Sequence, residues 1–413
     1  MRFVVLLSAA WAAFGLESVL RADSPQVVDL GYAIYQGTFN STSNITDFFA
    51  VRYAAPPVGK LRFQAPAPPL NMRAQGVQLA NTQPQACPMA GPGLNSTTPF
   101  RDLSNNKDRR QNTEIEDCLF LNVHVSGEIN PKARMPVVVW IHGGGYVAGS
   151  TSGQNGSDLI REASGGIVAV ELQYRLGVIL GFLPGSEVKK NGALNAGLFD
   201  QQFALQWIQK SIHLFGGDAS RVTIWGDSAG AGSVLQHIVA HGGNTQPPLF
   251  HQAITSSTFL PSQYNFDDAI PESDLSIRCS NASDTFQCLV DADAGTLESA
   301  NAVINESGFY GTFVVVPVVG GDMIVERPIQ TINRGRLNGV RYPLSAITNA
   351  FEGTVFVNAN FSAQMTATDY VTQLFPLFNQ AQIEETVQQY TNIGLNTVND
   401  QAIAIMGECK LGV

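Results

Sequence analysis

The sequence predicts an α/β fold on a mostly parallel central sheet with helices on both faces. Three observations carry this. Residues 136–141 and 167–172 are β-branched apolar runs of the kind that form strands buried on both faces. Residues 197–215 show helical apolar spacing, with Phe203, Leu205, Trp207 and Ile208 followed by Ile212, Leu214 and Phe215. A Gly-x-Ser-x-Gly run, Gly226-Asp227-Ser228-Ala229-Gly230, stands where an apolar strand, 222–225, gives way to a second helix, 228–241. Strands that alternate with helices need crossover connections, and these make the sheet parallel.

The elements follow in order. Residues 1–22 read as a secretory signal peptide: Arg2 gives a positive start, 3–16 is apolar, and Gly15 or Ala22 offers a small residue for cleavage. That apolar run is short for a membrane span and no other of that length follows, so no transmembrane anchor is expected. A single domain, 23–413, is expected after it. Its amino-terminal third is strand and turn, with strands at 32–39 and 47–53, a Pro-rich stretch at 54–69, and a further strand at 119–125. Gly216-Gly217-Asp218 ends the first helix with turn chemistry, and Gly242-Gly243 closes the second. Residues 252–256 and 344–348 are the remaining strands. In parallel sheets of this kind sites lie at the carboxyl ends of strands, where the Gly-x-Ser-x-Gly run sits.

Composition narrows the functional classes. The chain has 413 residues, 44% hydrophobic and 14% charged, with a formal net charge of −10. No basic stretch offers a phosphate footprint, so no nucleic-acid partner is expected. Glycosylation sequons occur at Asn40, Asn44, Asn95, Asn155, Asn281, Asn305 and Asn360. With the signal segment they point to a secreted glycoprotein. Five cysteines leave at least one unpaired within the chain. Cys87 and Cys118 bracket a polar stretch that reads as a closed loop, and Cys279 and Cys288 bracket a short one; free buried thiols are the alternative. Bridges there would contribute roughly 3–4 and somewhat under 3 kcal/mol. Cys409 is left over.

The Gly-x-Ser-x-Gly run is a nucleophile elbow in its proper context of strand, turn and helix. The serine must sit on a tight bend, and side chains two residues to either side would strike the crossing chain, so Gly226 and Gly230 are needed. The helix that starts there adds amide donors and a positive dipole end. His142-Gly143-Gly144-Gly145-Tyr146, directly after the strand 136–141, lets backbone amides approach a substrate oxygen closely. An ordinary glycine turn is the alternative reading of that loop taken alone.

These stretches, with Glu116-Asp117-Cys118-Leu119-Phe120-Leu121-Asn122-Val123, Tyr174-Arg175-Leu176-Gly177, Gly181-Phe182 and the long run 195–230, resemble the type-B carboxylesterase/lipase family, the cholinesterase-like branch of the α/β-hydrolase fold. The likeness runs from about residue 32 to 408. It implies Ser228 as nucleophile and the amides of Gly144, Gly145 and Ala229 as the oxyanion hole. It implies Glu352, in Asn349-Ala350-Phe351-Glu352-Gly353, as the acid of a triad, with Asp322 a weaker candidate. It implies the disulfides Cys87–Cys118 and Cys279–Cys288, an ester as small-molecule substrate, and no metal or organic cofactor.

The family order is serine, acid, histidine, and no histidine follows Glu352. His142 belongs to the glycine loop. His237 lies about 13 Å along the elbow helix and His241 farther. His124 falls in a strand, His213 at a helix end and His251 at a strand start. Residues 409–413 depart from the family pattern, and members continue with further helices, a strand and the histidine loop. The chain is therefore expected to be a C-terminally truncated, near-inactive form of a secreted ester hydrolase. A non-catalytic, cholinesterase-like binding or adhesion glycoprotein is the alternative. The stretch 88–117, with Arg101, Lys107, Arg109 and Arg110, holds the place of a lipase lid but lacks an apolar face, which favours soluble esters over emulsified lipid.

Overall fold

The structure is a computed structural model that describes residues 25–98, 115–268, 279, 282–338 and 344–411. The expected signal segment, the charged residues of 99–114 and Asn281 lie outside them.

Among the described residues ten strands form one mixed sheet: β1 Gln26–Asp29, β2 Ile34–Asn40, β3 Ile45–Arg52, β4 Val77–Leu79, β5 Phe120–Ser126, β6 Met135–Ile141, β7 Val168–Leu172, β8 Gly217–Asp227, β9 Gln252–Ser256 and β10 Ser345–Ile347. The order is β1-β2-β3-β5-β7-β6-β8-β9-β10, with β4 beside β2. From β7 through β10 every neighbour is parallel. From β1 through β5 to β7 the path is antiparallel, with β4 parallel to β2.

The parallel half is apolar because it is covered twice. Val168 and Val170 join the main core, which also holds Val188 of the helix α2 (Ser186–Asn191), Leu198, Leu205 and Ile208 of α3 (Ala196–Ser211) and Val234 of α4 (Ala229–Gly243). Ala169, between them in sequence, packs instead on Ile160 of α1 (Gly156–Glu162). Alternate residues of one strand thus meet helices on opposite sides.

Several boundaries differ from expectation. The turn expected at 216–218 is only Gly216, at φ +86°; Gly217 already belongs to β8, which is longer than 222–225 because Met135 pairs with Gly217 before a register shift. The helix expected to reach Phe215 ends as α-helix at Ser211 and tightens into a 3₁₀ turn. Beyond β10 the helices Ala367–Leu374, Gln380–Asn392 and Val398–Leu411 pack on one another through Val371, Ile383, Tyr390 and Ile405.

The Glu116-Asp117-Cys118 run is a three-way anchor. Arg62 holds Glu116 through paired bonds of 2.7 Å, and Arg52 holds Asp117 at 2.7 and 2.8 Å. Cys118 is joined to Cys87, and Cys279 to Cys288. These contacts tie the turns after β3 to the start of β5, a job no local periodicity announces.

A buried ionic network crosses β3, β5 and β7. The Nδ1 atom of His124 lies 2.6 Å from Asp47, and its Nε2 lies 3.3 Å from Glu171. Burial alone would depress the imidazole pKa, but the two carboxylates outweigh it and raise it to about 9. A raised value stabilises the fold fully below the unfolded pKa of about 6.5, and that contribution is lost as pH climbs through about 9. Thermal midpoints should therefore fall between about pH 6.5 and 9, and His124→Gln should remove that slope. An identical slope in the variant would show that His124 is not its source.

Candidate active site

Adjacent strands bring the two glycine motifs together. Trp140 pairs with Trp225 and Ile141 with Gly226, so the loop after β6 and the bend after β8 leave the sheet side by side. The chain crosses from β6 to β7 on one side and continues to β8 on the other, a topological switch point.

Ser228 caps α4 at φ 51°, ψ −120°, a backbone region that costs a non-glycine residue about 1–3 kcal/mol. Its N–H donates to Ser256 at 2.9 Å, and its carbonyl accepts from Phe259 at 3.0 Å and from Gly232 at 2.9 Å. The side chain is neither buried nor fully exposed. Both elbow glycines are sterically required. A Cβ on Gly226 would lie 2.4 Å from the Gly230 carbonyl carbon, and one on Gly230 only 2.0 Å from the Ile141 carbonyl oxygen. Both obstacles are backbone. Gly230→Ala should cost about 3 kcal/mol or more, whereas Gly153→Ala, whose nearest neighbour would be 3.5 Å away, should be nearly neutral. Equal denaturation midpoints for the two variants would contradict this account.

The glycine loop lies directly on the elbow. A Cβ on Gly143 would be 3.0 Å from the Ser228 Cβ. The Gly143 N–H donates to Asp227 Oδ1 at 2.9 Å. Burial raises the Asp227 pKa, opposed by that hydrogen bond. Asp227 was not singled out in the sequence, although its place inside the Gly-x-Ser-x-Gly run marks it. Gly144 and Gly145 adopt φ +105° and +65°, and the Phe313 ring covers Gly145 so closely that a Cβ would be 2.1 Å from it. Among the described residues none accepts a hydrogen bond from the backbone N–H of Gly144, Gly145 or Ala229. Beside Phe313 and Phe259 a cleft with about 700 Å³ of empty space, its open mouth included, is lined by Tyr264, Val316, Phe375 and Met406 and, among the described residues, by no charged side chain.

Glu352 follows β10, next but one to β8. It is half-buried, and its Oε1 accepts from the Asn349 N–H at 2.7 Å. The Asn349 side chain donates to Ser257 Oγ at 2.9 Å, and the neighbouring Ser256 carbonyl takes the Ser228 N–H. The carboxylate turn is thus two hydrogen-bonded strand ends from the serine. Gly353 lets it pack on the helix Val398–Leu411, since a Cβ there would be 1.9 Å from the Ile403 carbonyl oxygen. Asp322 lies elsewhere: its carbonyl is 2.8 Å from His241 Nδ1, past the regular part of α4.

None of the six histidines hydrogen-bonds the Ser228 hydroxyl. His142 stacks on Tyr174 at 4.4 Å, and burial lowers its pKa to about 4. His237 meets Gln201 at 2.9 Å, and burial lowers its pKa to about 3. His241 lies against Asp322, His124 is held in its network, and His213 and His251 stand at the amino ends of β8 and β9.

Comparison with known proteins bears directly on this geometry. The profile of the family described as "Carboxylesterase family" matches residues 24–405. The chain is 34% identical over 410 residues to "Carboxylesterase patB" of Aspergillus clavatus, covering 89% of this chain and 71% of that protein. It is 32% identical over 362 residues to "Secreted lipase 1" of Botryotinia fuckeliana, covering 81% and 61%. The crystal structure of Aspergillus niger EstA superposes with a TM-score of 0.75 at 30% identity, covering 93% of this chain and 72% of that one. With the sheet order, the elbow and the glycine loop, these matches identify the chain as a member of the carboxylesterase family, serine hydrolases of the α/β-hydrolase fold.

Proposed function

We propose that the chain is a secreted carboxylic ester hydrolase in which Ser228 is the nucleophile. The observation that carries this is the strained Ser228 backbone beneath a glycine loop whose Gly143 nearly touches it. The hydroxyl attacks an ester carbonyl, and the amides of Gly144, Gly145 and Ala229 receive the developing oxyanion. A base takes the serine proton and passes it to the leaving alcohol; water then releases the acid from the acyl-enzyme. Glu352 is the group that would hold such a base in its productive tautomer. The uncharged cleft beside Phe313 suits a neutral ester.

No imidazole reaches Ser228, so the 413-residue form is near-inactive and its serine an ordinary hydroxyl. The same observation favours a second reading, a cholinesterase-like binding glycoprotein. The unspent amide donors and the strained serine favour the hydrolase, because a scaffold has no use for either. The described residues also hold two disulfides, and two relatives bear the names of secreted lipases, which supports an extracellular location.

The test is a fluorophosphonate probe at high concentration and long exposure, with peptide mapping. Slow labelling confined to Ser228, absent in Ser228→Ala, supports the hydrolase. Labelling elsewhere, with Ser228 untouched, would refute it.

A further inference from the structure

The fold treats the sequons unequally. Asn40, Asn44, Asn155 and Asn360 are exposed, and no described residue takes a hydrogen bond from their side-chain nitrogens. Asn40 uses its Oδ1 to accept from the N–H groups of Thr42 and Ser43 at 3.0 and 3.2 Å. Asn155 uses its Oδ1 on the Ser157 N–H at 3.0 Å, capping α1. Both leave Nδ2 uncommitted.

Asn305 is 0% exposed. Its Nδ2 donates to the Asn301 carbonyl and side-chain oxygens at 2.9 and 3.0 Å, and Asn301 in turn accepts from the Val178 N–H at 3.0 Å. Asn95 is half-buried, and its Nδ2 donates to the Ser307 carbonyl at 3.1 Å.

We propose that Asn40, Asn44, Asn155 and Asn360 are the N-glycan acceptors among the described sequons, and that Asn95 and Asn305 stay bare. The proposal rests on the secretory reading above. In the transfer, Nδ2 attacks C1 of the reducing sugar of a polyprenyl-diphosphate-linked oligosaccharide. The Nδ2–C1 bond forms, the C1–O bond breaks, the diphosphate leaves with its electron pair, and Nδ2 loses one proton. A modified amide keeps one hydrogen. Asn305 needs both of its hydrogens and has no space for a sugar, so a glycan there is incompatible with this fold.

The hydroxyl two residues on sets the timing. Thr46, Ser157 and Ser362 are buried and bonded to Gly127, Asp47 and Asn399 at 2.7, 3.1 and 3.0 Å. Thr42 alone of the four is exposed. Asn44, Asn155 and Asn360 are therefore modified before the fold closes, and only Asn40 remains open afterwards. Asn40 and Asn44 flank the β2–β3 hairpin. Ile45 pairs with Ser126, Val125 with Val168, and Val168 with Val137, which puts the hairpin at the amino ends of the parallel strands, the opposite end from Ser228. Glycans there leave the candidate site open.

The full chain would be expressed in secretory eukaryotic cells in two forms, one with its own leader and one behind an added cleavable signal sequence. Enzymatic deglycosylation in ¹⁸O-water followed by peptide mass spectrometry marks the occupied asparagines. The expected label falls on Asn40, Asn44, Asn155 and Asn360. A glycan on Asn95 or Asn305 in disulfide-intact soluble protein, or a bare Asn40, overturns the proposal. The expected pattern in the added-signal form alone supports the site choice and refutes secretion by the chain's own leader. Folded, unglycosylated protein given transferase and lipid-linked donor should gain one glycan, at Asn40; gain at Ser362-linked Asn360 instead would overturn the timing.

Discussion

Hydrolysis of a p-nitrophenyl ester by this chain is expected to run about 10⁶-fold below an enzyme with a complete serine, histidine and acid set, a deficit near 8 kcal/mol. The reason lies in where the histidines are. His142 and His237 are buried and held neutral at physiological pH, His124 is engaged by two carboxylates, and none bonds to the Ser228 hydroxyl. What remains is polarisation of the carbonyl by free amides, worth roughly 10³–10⁴ over water in comparable sites. Because members of a triad act as a unit, Ser228→Ala should change that residual rate little. Added imidazole should accelerate the unsubstituted protein beyond its catalysis in free solution, and should not accelerate Ser228→Ala in that way. Turnover at ordinary esterase rates, abolished by Ser228→Ala, would mean that a base reaches the serine from a position this structure does not give it.

Asp200→Ala is expected to cost about 3–5 kcal/mol of stability, a large part of what a domain of this kind holds. The Arg175 and Asp200 side chains are both 0% exposed. Asp200 accepts from Arg175 Nε and Nη2 at 2.7 Å each and from the Arg175 backbone N–H at 3.1 Å. Removing the carboxylate leaves a buried guanidinium with only the Gln64 carbonyl, 2.8 Å away, in its place. The damage should reach the candidate site, because the turn after Arg175 is tied to the glycine loop through the Gly177 N–H and the Tyr146 carbonyl at 2.8 Å. Denaturant titration measures the loss; a change below about 1 kcal/mol would show that the pair is dispensable. Asp200→Asn, which keeps acceptor capacity, should fall between the two.

Much of the candidate site was legible before any coordinates. The Gly226 and Gly230 requirement follows from the elbow alone, and the structure gives it numbers, 2.4 and 2.0 Å. The glycine loop could be placed beside it because both follow strands of a parallel sheet. Asp227 and Phe313 were not legible in that way. Their roles depend on which backbone they meet, and Phe313 is far from Gly145 in sequence. The short edge strands β1 and β4 were missed for a related reason: in β1 the buried Gln26 is polar and the apolar Val27 is exposed, and in β4 Val77 and Leu79 are exposed, so the apolar pattern does not follow burial.

The order of residues along the chain was enough to decide the buried parallel strands and the bend at Ser228, since each is written in local spacing: continuous β-branched apolar runs, glycines at fixed offsets, a strand passing into a helix. The kinship with ester hydrolases came from the resemblance of longer stretches such as 195–230. Three-dimensional packing alone decided that Arg175 meets Asp200, that His124 is clamped between Asp47 and Glu171, that Glu352 stands two strands from the serine, and that the Asn305 side chain is buried against Asn301. Those outcomes depend on partners brought together from distant parts of the chain. Whether a side chain ends up charged, buried or open to solvent is set by such neighbours, and no spacing along the backbone encodes them.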